Sequence, residues 1–98
     1  MESIALVDDE QSILTSVSLS LESEGFIVDT FLNGVEALKA LETKTYDLGL
    51  FDIKMPKMDG NELLTKVRSS KIEKLKQLPI IFLTSKDQEQ DEIIGLRM

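Results

Sequence analysis

Two residue types that carry much of protein chemistry are missing from this 98-residue chain: there is no cysteine and no histidine. The first absence excludes disulfide scaffolds, thiolate metal sites and cysteine nucleophiles. The second excludes imidazole ligands, histidine general bases and Ser-His-Asp triads. Tryptophan is absent too, and there are only two prolines and five glycines. Positive charge is scarce: eleven Lys and Arg stand against eighteen Asp and Glu, a net charge of −7. Such a chain is not expected to hold a nucleic-acid backbone by itself, since that affinity rests on clustered cations. Long apolar runs are missing as well. The longest reach about four residues, far below the ~20 a membrane span needs. No basic segment leads into an apolar one at the start, so cytoplasm is the expected compartment. What remains is ordinary globular composition, 42% hydrophobic and 30% charged, and the length suits one domain over residues 1–98. The groups left for chemistry are carboxylates, hydroxyls, lysines and the backbone.

The apolar residues come in an alternating pattern. Residues 4–7 (Ile-Ala-Leu-Val) form a continuous apolar run closed by Asp8 and Asp9, as in a strand buried on both faces. Ile13, Leu14, Val17 and Leu21 then recur at helical spacing, and Gly25 suits the position just past a helix end. Residues 26–31 read as a second strand, with Asp29 and Thr30 suggesting an edge. Asn33 and Glu36 have the spacing of a capping box, and a helix is expected through Leu41 to about Thr43. Residues 48–51 make the third strand, ended by Asp52. Pro56 and the pair Asp59-Gly60 mark a loop, after which Leu63, Leu64 and Val67 mark a helix. The polar, Lys-rich residues 69–77 are a helix extension or a loop. Residues 80–83 are the fourth strand. Ser85 and Gln88 form another capping box, opening a helix that is expected to carry Ile93, Ile94 and Leu96. Four βα units imply a parallel sheet covered by helices, an α/β fold.

In such a sheet the ligand site lies beyond the carboxyl ends of the strands. Asp8-Asp9, Asp52 and Thr84-Ser85 all follow strands there. One Asp after a strand is commonly just a helix cap or loop residue. Acids after two strands and a hydroxyl pair after a third are harder to explain that way. Converging carboxylates favour a hard divalent cation with oxygen ligands, Mg²⁺ or Mn²⁺. A carboxylate of that set can also act as a nucleophile toward phosphorus. The Lys-rich run from residue 71 to 76 reads as a solvated face.

Residues 6–10 (Leu-Val-Asp-Asp-Glu), 51–60 (Phe-Asp-Ile-Lys-Met-Pro-Lys-Met-Asp-Gly) and 81–85 (Ile-Phe-Leu-Thr-Ser) closely resemble the receiver domain of bacterial two-component response regulators. The wording around Asp52 and Thr84 further resembles ChvI-type transcriptional regulators. The resemblance implies the flavodoxin-like, CheY-like doubly wound parallel sheet, strand order 2-1-3-4. It implies that Asp52 is the phosphoacceptor and that Asp9 and Asp52 ligate Mg²⁺ directly. Asp8 would help through water and the main-chain carbonyl of Lys54 would be a further ligand. Thr84 would be the switch hydroxyl, and Pro56 and Gly60 would shape the loop after the acceptor. The donor would be a phosphohistidine on a sensor histidine kinase. DNA contact would come only through an output domain outside this chain, and no membrane partner is implied.

Family members continue with a fifth strand, a Lys after it and a fifth helix. The resemblance therefore describes a receiver short of roughly one βα unit, with residues 80–83 as a bare apolar edge open to homodimerisation. A phosphorylation-independent pseudo-receiver, acting as an interaction module, is the alternative function. A phosphatase of the haloacid dehalogenase type would need a second Asp two residues after the nucleophile, where this chain has Lys54. A dinucleotide-binding domain would need a G-x-G-x-x-G after the first strand, which is absent.

Overall fold

In the computed structural model the described residues are 2–53, 55, 58–83 and 93–97, the last segment through its backbone. The elements run β1 (Ser3–Val7), α1 (Gln11–Ser23), β2 (Ile27–Phe31), α2 (Gly34–Thr43), β3 (Leu48–Asp52), α3 (Gly60–Arg68), α4 (Glu73–Lys76), β4 (Ile80–Leu83) and β5 (Ile93–Arg97). The first four strands are parallel and ordered 2-1-3-4, as expected. The half-polar β2 is indeed at an edge.

Alternate residues of the buried strands serve two cores, because successive strand side chains point to opposite faces. Ala5, Val7, Phe51, Ile80 and Phe82 pack with Ala37 and Leu41 of α2 and Leu63 and Val67 of α3. Ile4, Leu6 and Leu50 pack with Leu14 of α1. The sheet is therefore doubly wound, and right-handed crossovers put α1 opposite α2 and α3.

The end of α1 and the starts of α2 and α3 have local causes. α1 stops in a Schellman motif: Gly25 N–H donates to the Glu22 carbonyl (3.0 Å) and Phe26 N–H to the Leu21 carbonyl (3.2 Å). Gly25 makes this possible with φ +100, a conformation side chains disfavour. Asn33 starts α2 by accepting from the Glu36 N–H at 2.9 Å. Asp59 does the same for α3 with the Glu62 N–H, also at 2.9 Å. The polar stretch after α3 folds into the short α4, and the Arg68 guanidinium ties it down through the carbonyls of Lys76 (3.0 Å) and Leu78 (2.7 Å).

Two expectations are corrected. Residues 93–97 are a strand rather than a helix, and β4 is not a bare edge. β5 lies antiparallel on β4, pairing Ile80 with Arg97 and Phe82 with Gly95, with an irregularity between Phe82 and Leu83. Two adjacent Ile suit a strand, and Gly95 weakens a helix interior by about 1 kcal/mol. The pairing also satisfies backbone groups that β4 would otherwise present unpaired. The capping box at Ser85 and Gln88 lies outside the described residues.

Candidate functional site

The carboxyl ends of β1 and β3 are adjacent, since Val7 and Phe51 are partners in the parallel ladder. Both strands are apolar up to these ends, and each then delivers an acid. Asp52 is the last residue of β3 and is 1% exposed; Asp8 follows β1 and is 3% exposed. These are the buried charged side chains among the described residues. Asp9 is exposed beside them, and one carboxylate oxygen from each of the three lies within 4.8 Å of the others.

The backbone fixes this arrangement from several sides. Asp8 N–H donates to the Phe31 carbonyl (3.1 Å), tying the start of the β1–α1 loop to β2. The Asp8 carboxylate accepts from the Glu10 N–H at 2.9 Å, which sets its orientation. After Asp52, the loop to α3 is closed by the Gly60 N–H donating to the Ile53 carbonyl (2.9 Å). Gly60 sits so close under β3 that a Cβ there would lie 2.4 Å from the Asp52 carbonyl oxygen. Met55 and Met58 of that loop are buried in the core. Phe51 and Phe82, edge to face with centroids 6.4 Å apart, pin the tips of β3 and β4 together.

Three anionic side chains this close repel one another by about 3 kcal/mol per pair at an effective dielectric constant of 20, less where Asp9 faces water. Carboxylate oxygens on a partly open site are the donor set of a hard divalent cation, which retains waters when few protein ligands are present. The residues therefore fit Mg²⁺ by donor type, number and spacing.

The structure thus brings together Asp8, Asp9 and Asp52. Lys54, Pro56 and Thr84 lie outside the described residues, although the ladder pairs Asp52 with Leu83, the residue before Thr84. Asp59 has a part that the turn reading of Asp59-Gly60 passed over: it caps α3 and so anchors the end of the β3–α3 loop. Its spacing to Glu62 is the capping-box signal that identifies it.

The sequence profile of the response regulator receiver domain family matches residues 4–98. The alkaline phosphatase synthesis transcriptional regulatory protein PhoP of Bacillus subtilis is 42% identical over 95 residues, 97% of this chain and 38% of that protein. A transcriptional regulatory protein CpxR homologue of Haemophilus influenzae is 38% identical over 98 residues, 100% of this chain and 40% of its own length. The chain spans about two fifths of these curated relatives. Among solved structures, the Thermotoga maritima response regulator TrrA in complex with Mg²⁺ and BeF is similar at a TM-score of 0.79 and 38% identity. That match covers 93% of this chain and 76% of TrrA. TrrA in complex with the histidine kinase ThkA matches at 0.79 and 37%, covering 94% of this chain and 76% of the other.

Proposed function

This chain belongs to the response regulator receiver domain family, a family of signalling domains, and from that premise we propose that Asp52 is its phosphoacceptor. The observation that carries the reading is the clustering of Asp8, Asp9 and Asp52, with Asp52 buried at the end of a rigid central strand. In the proposed step an Asp52 carboxylate oxygen attacks phosphorus. The phosphorus–nitrogen bond of a phosphohistidine breaks, the imidazole leaves, and an acyl phosphate forms on Asp52. When bound, Mg²⁺ would neutralise phosphoryl and carboxylate charge.

Asp9 and Asp52 would hold it directly, Asp8 through water, and the Lys54 main-chain carbonyl would complete the protein ligands. Asp8, fixed by the Glu10 N–H, keeps the cation pocket in register with β1. Thr84 would turn its hydroxyl to the phosphoryl group, and that move changes the surface offered to a partner. Phosphorylation adds about −1.5 to −2 charges at one point. The partner supplying the phosphoryl group is a sensor histidine kinase; the complex of TrrA with ThkA supports this class. The transcriptional relatives support an output in transcription, through a DNA-binding domain outside residues 1–98, in the cytoplasm. No helix among the described residues is long and apolar enough to cross a membrane.

The test is incubation with acetyl phosphate and MgCl₂, read by intact mass. The expected result is gain of one phosphoryl group, absent in Asp52→Asn and without Mg²⁺. A kinase partner that binds wild type and Asp52→Asn alike, with no mass gain in either, would instead establish the pseudo-receiver reading.

A further inference from the structure

The first residue of α2, Gly34, lies against the acceptor loop. A Cβ at Gly34 would sit 2.8 Å from the Met58 carbonyl oxygen and 3.0 Å from both Met58 Cβ and Cγ. Two of these three atoms, the carbonyl oxygen and Cβ, cannot swing away by a side-chain rotation. Met58 is 8% exposed and packs in the core shared by α2 and α3, so it has little room to retreat. The loop it belongs to starts at Asp52 and returns to Gly60, whose N–H donates to the Ile53 carbonyl and where a Cβ would lie 2.4 Å from the Asp52 carbonyl oxygen.

From this chain of contacts we infer that Gly34 is a positioning residue for the phosphoacceptor: by lacking a side chain it lets α2 brace Met58, which holds the acceptor loop, and through Gly60 the Asp52 main chain, in metal-binding register. The inference rests on the reading of Asp8, Asp9 and Asp52 as a Mg²⁺ site. It assigns a part of that site to a helix start that contributes no ligand. The displaced atoms act like outer-shell partners, whose loss weakens metal affinity roughly tenfold or more.

Gly25 supplies the control. It is needed for its φ of +100, but a Cβ there meets nothing within 4 Å. Gly25→Ala therefore strains the fold without touching the loop. Amide NMR spectra of wild type, Gly34→Ala, Gly25→Ala and Met58→Ala would be recorded without metal and then titrated with MgCl₂. Gly34→Ala is expected to shift the amides of Ile53, Met58, Asp59 and Gly60 before any metal is added, and to weaken Mg²⁺ binding by roughly tenfold. Gly25→Ala is expected to lower the unfolding midpoint and leave Mg²⁺ affinity unchanged. Met58→Ala, which loosens the same contact from the other side, is expected to weaken Mg²⁺ binding even where Gly34→Ala fails to fold. Unchanged affinity in the folded Gly34→Ala protein, or in Met58→Ala, would overturn the inference. Equal weakening in Gly25→Ala would overturn it too, by showing that loss of stability alone is enough. A wild-type chain that does not respond to Mg²⁺ would overturn the site reading itself, and the inference with it.

Discussion

The two faces of the sheet are covered unequally. On one, α2 and α3 close over Ala5, Val7, Phe51, Ile80 and Phe82, and all five of these strand residues are buried. On the other, α1 seals Ile4, Leu6 and Leu50, while Leu48, Ile81 and Leu83 toward β4 are only half-buried. The helices differ in the same sense. α2 and α3 have side-chain N-caps, whereas the start of α1 at Glu10 has no side-chain cap hydrogen bond. The well-covered face is also the one whose helix starts flank the loop from β3 to α3. Packing is thus concentrated behind Asp52, where the proposed phosphoryl-transfer site, working mainly by positioning, would need it.

Neighbouring residues of β4 give the sharpest comparison. Phe82 points to the well-covered face and meets Phe51, and Phe82→Ala is expected to cost about 3–5 kcal/mol. Leu83 points to the other face, and Leu83→Ala is expected to cost about 1–2 kcal/mol because part of its surface is already in water. Urea unfolding at constant m-value measures both. Equal costs would mean that the α1 face is covered as fully as the face under α2 and α3.

The caps give a smaller effect of the same kind. Asn33→Ala and Asp59→Ala should each cost about 1 kcal/mol, since each leaves a helix N–H without its acceptor. They should differ in function. Asp59 anchors the acceptor loop, so its loss should also weaken Mg²⁺ binding in a metal titration. Asn33 caps the helix whose first residue, Gly34, meets Met58, and its loss should affect the metal less.

Which parts of this architecture were legible in the sequence follows from the range of the interactions. The strands at residues 4–7, 48–51 and 80–83 announce themselves because burial on both faces demands unbroken apolar runs. Gly25 and Asn33 mark helix ends because the relevant bonds span three to five residues. Asp8, Asp9 and Asp52 meet because β1 and β3 are neighbours in the sheet, an order that only the resemblance to receiver domains implies. What the sequence pattern itself offers is that all three acids follow strands, at the edge where ligand sites lie. Residues 93–97 were misread because two Ile and a Leu in five positions fit either period. Their partner, β4, decides the matter, and pairing across a sheet is not written locally. The brace between Gly34 and Met58 was equally hidden. It depends on how deeply α2 packs, and a glycine followed by Val and Glu reads only as a helix start.

The smallest expected effect lies at the β2 edge. Asp29 accepts hydrogen bonds from Lys44 Nζ (2.8 Å) and Tyr46 Oη (2.5 Å), clipping the edge strand to the α2–β3 connection. The hydrogen bonds from Lys44 and then Tyr46 hold its carboxyl below the usual carboxylate range. Burial, and next the bond to Asp29, push the Tyr46 phenol upward. The signs follow from proton binding in the two states. Asp29 is more acidic when folded, so its contribution is present above the ordinary carboxylate pKa near 4 and fades as pH falls through and below it. Tyr46 holds its proton more tightly when folded, so its contribution fades as pH rises above about 10. Lys44 and Asp29 are partly exposed, which screens their interaction and keeps it small. Asp29→Asn should therefore flatten the acid limb of the stability–pH curve slightly, and Tyr46→Phe the alkaline limb, in urea midpoints taken across pH. Neither change should alter Mg²⁺ binding. An Asp29→Asn protein with weakened metal affinity would show that the β2 edge, and not only the helices behind Asp52, supports the acceptor.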